Sequence, residues 1–120
     1  MRVPIDKFDI EAFENIDRSF IINNQKNILI WLQDINWPVA KEVSRAVRPY
    51  VNELEKALLE ILQGNDYEWR FNVVASVLYF CDSIPDTLSN QLIKIYHDPN
   101  ELEDLKEKCL EVLEEFNINF

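Results

Sequence analysis

Apolar residues return every three or four positions along almost the whole chain, and short polar clusters interrupt them at regular distances. That spacing is the period of an amphipathic α-helix, so the chain predicts a succession of helices and no strands. The first runs over Ile10 to Asp17, with Asp9 as its cap and Ile10, Phe13 and Ile16 facing inward. The second runs from about Asn24 to Gln33 and carries Ile28, Leu29, Trp31 and Leu32. Asp34-Ile-Asn36 turns the chain. Asn36 or Trp37 caps the next helix, and Pro38 sits in its first turn, where a missing N–H costs nothing. Val39, Val43, Ala46 and Val47 give that helix an inward face, and Pro49 ends it.

Asn52-Glu-Leu-Glu55 has capping-box spacing and opens a helix that buries Leu54, Leu58, Ile61 and Leu62. Gly64 stops it from a position that favours positive φ. Asp66 caps a helix over Tyr67 to Cys81 that is apolar nearly all round from Phe71 to Phe80, which places it at the centre of the domain. Asp86 caps a helix burying Leu88, Leu92, Ile93, Ile95 and Tyr96. Asp98-Pro-Asn-Glu101 is a second capping-box pattern, opening a last helix over Pro99 to Glu115 that buries Leu102, Leu105, Cys109, Val112, Leu113 and Phe116.

Three of these segments resemble one another. Ile28 to Asp34, Leu58 to Gly64 and Leu92 to Asp98 share apolar residues at their first, second, fourth and fifth positions, then a polar turn, at offsets of about 30 and 34 residues. The following helices align as well, with Trp37, Val39, Val43 and Val47 over Trp69, Phe71, Ala75 and Tyr79. Helix pairs at such periods cannot bury their apolar faces alone and stack on their neighbours. The expected fold is therefore all-α: a short HEAT-like α-solenoid of six to seven helices in three antiparallel pairs, forming one domain over residues 1–120.

The segment Trp31-Leu-Gln-Asp-Ile-Asn-Trp-Pro-Val-Ala40 resembles the recurring Trp-Leu-Gln-Asp-x-Asn-Trp-Pro-Val-Ala signature of a family of small bacterial proteins known only as a domain of unknown function. The resemblance continues through Arg48-Pro-Tyr50 and Asp66 to Trp69 and takes in the Asp6-Lys-Phe-Asp9 opening, then weakens after about Tyr79. It implies a HEAT-like helical fold and no particular activity. Analogy with other small acidic bacterial proteins suggests toxin neutralisation.

Composition narrows the function classes. The net charge of −10 disfavours a general nucleic-acid binder, which needs clustered cations to displace counterions, and suits encounter with a basic partner. No apolar run reaches the ~20 residues that cross a bilayer, and the first residues carry no signal-peptide hydrophobic region. With Cys81 and Cys109 both on apolar stripes, a cytoplasmic protein with two reduced, buried thiols is expected.

Catalytic chemistry finds few residues to use. His97 is the only histidine and lies at a helix end; the single glycine excludes a glycine-rich phosphate loop. No catalytic residue, metal site or cofactor is expected. Two surface features remain. The inter-helix turns, Gln33-Asp34-Ile-Asn36, Asn65-Asp66-Tyr67-Glu68 and Asp98-Pro-Asn-Glu101, would line up on one rim of a stacked solenoid as an acidic, amide-rich ridge with Tyr67 standing in it, although capping alone also selects Asp and Asn there. Lys41, Arg45 and Arg48 fall at i, i+4 and i+7 as a basic stripe that Arg70 could extend. The favoured expectation is a non-enzymatic module that binds another, basic protein, in its sharpest form an immunity-type inhibitor of a bacterial toxin. The alternative is a small-molecule or phosphate-ligand binding protein or enzyme that uses the basic stripe.

Overall fold

The periodic stripes become seven α-helices in the computed structural model, which describes residues 2–120: α1 Arg18–Asn23, α2 Gln25–Leu29, α3 Pro38–Val47, α4 Glu55–Leu62, α5 Tyr67–Asn72, α6 Asp86–His97 and α7 Glu103–Glu115. Single 3-10 turns at Ile10–Phe13, Ile30–Gln33, Arg48–Tyr50 and Leu78–Phe80 extend or join them, and a π-helical stretch, Val73–Val77, continues α5. No strand occurs among the described residues. One apolar core runs through the chain from Ile21 to Leu113, with Leu32, Leu54, Leu58, Leu62, Leu78, Leu92 and Leu105 sealed inside it. Each such side chain contributes roughly 1.5–3 kcal/mol through removal from water.

Helix α6 packs along α7, and α4 lies against both α5 and α6. Helix α3 rests on the Ile30–Gln33 turn and on the π stretch, which also meets α7. The segment from Tyr67 to Phe80 is thus central, as its apolar run predicts. Val73, Val74, Val77 and Leu78 are buried on several sides, whereas Tyr79 and Phe80 emerge into solvent. The Leu78 N–H is shared between the carbonyls of Val73 and Val74. In this widened turn the Ser76 carbonyl accepts from Arg48 Nε at 2.9 Å.

Helix ends depart most from the sequence-based expectations. Asp9 does not cap a helix over Ile10 to Asp17; it pairs with Arg2 and accepts from the Ile5 N–H, and only a 3-10 turn follows. Ile10 is largely exposed, and Ala12 is buried in its place. Asp17 instead caps the short helix α1, accepting from the Phe20 N–H at 2.9 Å. Neither capping box forms. Asn52 donates to Ser83 across the surface, and α4 begins at Glu55 behind Leu54. Asp98 accepts from the Asn100 N–H at 2.8 Å, an Asx turn that delays α7 until Glu103. Leu102 therefore lies outside the helix and is 56% exposed rather than buried. Asp86 is the first residue of α6, and Pro85 is the cap. Gly64 closes α4 without positive φ.

The left-handed position that does occur at a helix end is Asn117, with φ of 54°. The N–H of Asn117 donates to the Glu114 carbonyl at 3.1 Å and that of Ile118 to the Leu113 carbonyl at 2.9 Å, while Ile118 packs on the core. This is the Schellman arrangement, and glycine is its preferred residue. Asn117→Gly is expected to stabilise the protein by up to about 1 kcal/mol, measured by urea denaturation, because glycine enters this region without a Cβ penalty.

Candidate partner-binding site

The site begins with the way α5 is fastened. Asp66 Oδ1 accepts from the Trp69 N–H at 3.1 Å and so fulfils its predicted capping role. Three side chains of α5 then reach carbonyls in the last turns of neighbouring helical segments. Trp69 Nε1 donates to Leu29 at 3.0 Å, Asn72 Nδ2 to Leu32 at 2.8 Å and Arg70 Nε to Leu62 at 3.0 Å. The Asn72 bond holds the segment just before Asp34-Ile-Asn36 against α5. There Asp34 Oδ1 accepts from the Asn36 N–H at 2.9 Å and tightens the turn.

These fastenings open a cleft of about 290 Å³ between the Asp34–Asn36 turn, the first turns of α5 and the start of α7. Asp34, Glu68 and Asp104 give it acidic walls. Tyr67 and Phe71 form an aromatic side, their rings 6.1 Å apart and tilted by 42°, and exposed Ile35 lines the cleft from the turn. Asn72 lies at its base. Burial pushes the Tyr67 hydroxyl pKa upward, and the carboxylates of Asp104 and Glu68 push it further in the same direction.

Of the expected acidic rim, Asp34, Asn36 and Tyr67 meet in this cleft, while Asp66 stands beside it, engaged as a cap. The Asp98–Glu101 turn does not join them. Its Glu101 pairs with Arg70 at 2.5 and 3.2 Å, and Asp104 supplies the third carboxylate from α7. Glu68 joins the cleft as part of the expected turn, whereas Phe71, Asn72 and Asp104 escaped the sequence reading as site residues. Asn72 alone carries a signal there, as an amide inside an otherwise apolar run.

The basic stripe disperses. Lys41 is exposed, and Arg45 lies 3.5 Å from Glu42. Arg48 sits 4.3 Å above the Phe80 ring with its Nε on the Ser76 carbonyl; burial and the charge of Arg45 lower its pKa. Arg70 is held between α4 and Glu101. Three of the four cations thus have contacts within the chain, Arg48 and Arg70 with partly buried ones, and the stripe does not extend to Arg70.

Residues 2–115 match the model of a family described as Domain of unknown function (DUF5071). The chain belongs to this DUF5071 family. No curated protein matches it. The match spans every element that builds the cleft, from the Asp34 turn to Asp104, so the cleft lies wholly within the DUF5071 domain. The family description names no reaction or ligand.

Among the described residues of this DUF5071 domain, no three His, Cys, Asp or Glu side chains form a group that could hold a metal ion, and no helix is long and apolar enough to cross a membrane. Burial raises the thiol pKa of Cys81 to about 11 and that of Cys109 to about 12. Both thiols stay protonated in the fold well above pH 9, whereas in the unfolded chain they ionise near 8.5. The unfolded state then binds fewer protons, so stability falls as pH rises from about 8.5 towards the folded values. Urea denaturation from pH 8 to 10.5 is expected to show this decline, and a Cys81→Ala/Cys109→Ala variant to show a shallower one. A slope equal to that of the parent would contradict the assignment.

Proposed function

We propose that this protein is a non-enzymatic protein-binding module that holds a basic partner at the cleft between Asp34, Tyr67 and Asp104. The observation that carries the reading is the convergence of the Asp34–Asn36 turn, α5 and the start of α7 on one concave, acidic, aromatic-lined surface. Aromatic side chains in a pocket give a contact its anchor, and the surrounding carboxylates steer a cationic surface towards it. A net charge of −10 extends that attraction beyond the cleft.

The scaffold in this proposal is a short HEAT-like stack of three helix pairs: α2 and its 3-10 extension with α3, α4 with α5, and α6 with α7. The order of packing supports it. Members of each pair touch, and successive pairs meet through the Ile30–Gln33 turn on α5, α4 on α6, and the π stretch between α3 and α7. The cleft opens at the first of the three equivalent turns, Asp34–Asn36. The sharpest version is an immunity-type protein in a bacterial cytoplasm that neutralises a basic toxin.

Affinity capture at low and moderate salt tests the reading. The wild-type chain is expected to retain a basic protein, and Glu68→Lys and Asp104→Lys are each expected to lose it, with capture weakening as salt rises. Lys41→Glu and Arg45→Glu are expected to leave it bound. Capture that ignores the cleft reversals but fails with Lys41→Glu would move the contact to α3. The phosphate-ligand alternative predicts a rise in Tm with inorganic phosphate; with Arg48 and Arg70 engaged inside the chain, no rise is expected.

A further inference from the structure

We infer that the cleft receives one arginine side chain of the partner, its guanidinium lying against Tyr67 and Phe71 and donating to the carboxylates of Glu68 and Asp104 and to the side-chain oxygen of Asn72. The inference rests on the protein-binding reading above and names the chemistry of its anchor.

Asn72 carries the argument beyond an acidic cluster. The residue is 5% exposed. Its Nδ2 donates to the Leu32 carbonyl at 2.8 Å, which fixes the orientation of the amide. The other end, Oδ1, meets no donor among the described residues. No side-chain nitrogen or oxygen sealed from solvent lacks a partner among those residues, so this oxygen keeps access to solvent, and Asn72 lines the cleft. An acceptor presented at the base of a pocket calls for a donor from the occupant.

The walls select the kind of donor. Carboxylates at Asp34, Glu68 and Asp104 require a cation. Aromatic faces at Tyr67 and Phe71 favour a flat, weakly hydrated cation over a compact ammonium that keeps its water. A guanidinium has five N–H donors in one plane, enough to serve a carboxylate and the amide oxygen together while stacking on a ring. The chain already uses this pairing internally, where Arg70 is bidentate to Glu101 and Arg48 covers Phe80. The upward displacement of the Tyr67 hydroxyl by burial and by Asp104 and Glu68 agrees with a neutral phenol held among anions that await a counter-charge.

The test is an NMR titration of the intact protein with Nα-acetyl-arginine amide, Nα-acetyl-lysine amide and Nα-acetyl-citrulline amide. The arginine probe is expected to give saturable shifts of the Asn72 side-chain NH₂ and of the Tyr67 and Phe71 ring signals. Its affinity is expected to exceed that of the neutral citrulline probe at least about tenfold, since hydrogen bonds to ionised groups are roughly twice as strong as neutral ones. The lysine probe is expected to fall between them. Asp104→Asn and Glu68→Gln, both surface changes, are each expected to weaken the arginine probe. Absence of saturable shifts at these residues, or equal affinity for all three probes, overturns the inference. If arginine fails while Asp104→Lys still abolishes capture, the cleft remains a contact surface without an arginine pocket. If arginine binds while capture ignores Asp104→Lys, the pocket stands and the protein-binding reading falls.

Discussion

Arg70→Met should be among the most destabilising single changes in this protein, lowering stability by about 2–4 kcal/mol. The side chain is 12% exposed and that of Glu101 18%, so neither charge can turn to water when its partner goes. Arg70 Nε holds the Leu62 carbonyl at the end of α4, and both terminal nitrogens hold Glu101. Methionine fills much of the volume but leaves a shielded carboxylate and an orphaned carbonyl, and that penalty sets the size of the effect. For a chain of this length the loss corresponds to a fall in Tm on the order of 10–15 °C. Glu101→Gln keeps an acceptor for the guanidinium and should cost less. Pairing Arg70→Met with Glu101→Leu should recover part of the loss, because it removes the stranded charge. A double variant as unstable as the sum of the two single changes would show that the pair is not coupled.

Leu62→Ala should cost about 2–5 kcal/mol in urea denaturation. Leu62 is sealed in the core at the end of α4. Its neighbourhood is fixed from outside by the Arg70 bond to its own carbonyl, so the site has little freedom to collapse onto the missing atoms. Leu102→Ala, one of the apolar stripe positions of the sequence, should change stability by less than about 0.5 kcal/mol, since that side chain lies largely in water. Equal losses at the two positions would contradict the described burial.

The contrast between Leu62 and Leu102 shows what the amino-acid sequence reveals. Stripes over Leu54 to Leu62 and Leu105 to Leu113 are sealed as their period requires, because burial of one face is a local, periodic demand. Asp66 caps as expected, since the N–H it serves lies three residues ahead. Capping boxes at Asn52 and Asp98 look the same on paper and fail. Asn52 finds Ser83, and Glu101 finds Arg70, both 31 residues away, and such competitors become visible only when the chain is folded. Helix α1 escaped notice because it is short and because Asp17 looks like the end of the preceding stripe. The cleft was legible by half. Turn residues Asp34, Asn36 and Tyr67 stand out by type, but Asp104 sits on a helix face rich in carboxylates, and nothing local marks which of them faces the turn.

A photo-crosslinking phenylalanine analogue in place of Tyr67, compared with the same analogue in place of Lys41, tests the central claim most directly. The account predicts a covalent adduct with a basic protein from the Tyr67 position, suppressed by added salt and by Nα-acetyl-arginine amide, and none from Lys41. An adduct formed from the Lys41 position alone would contradict it.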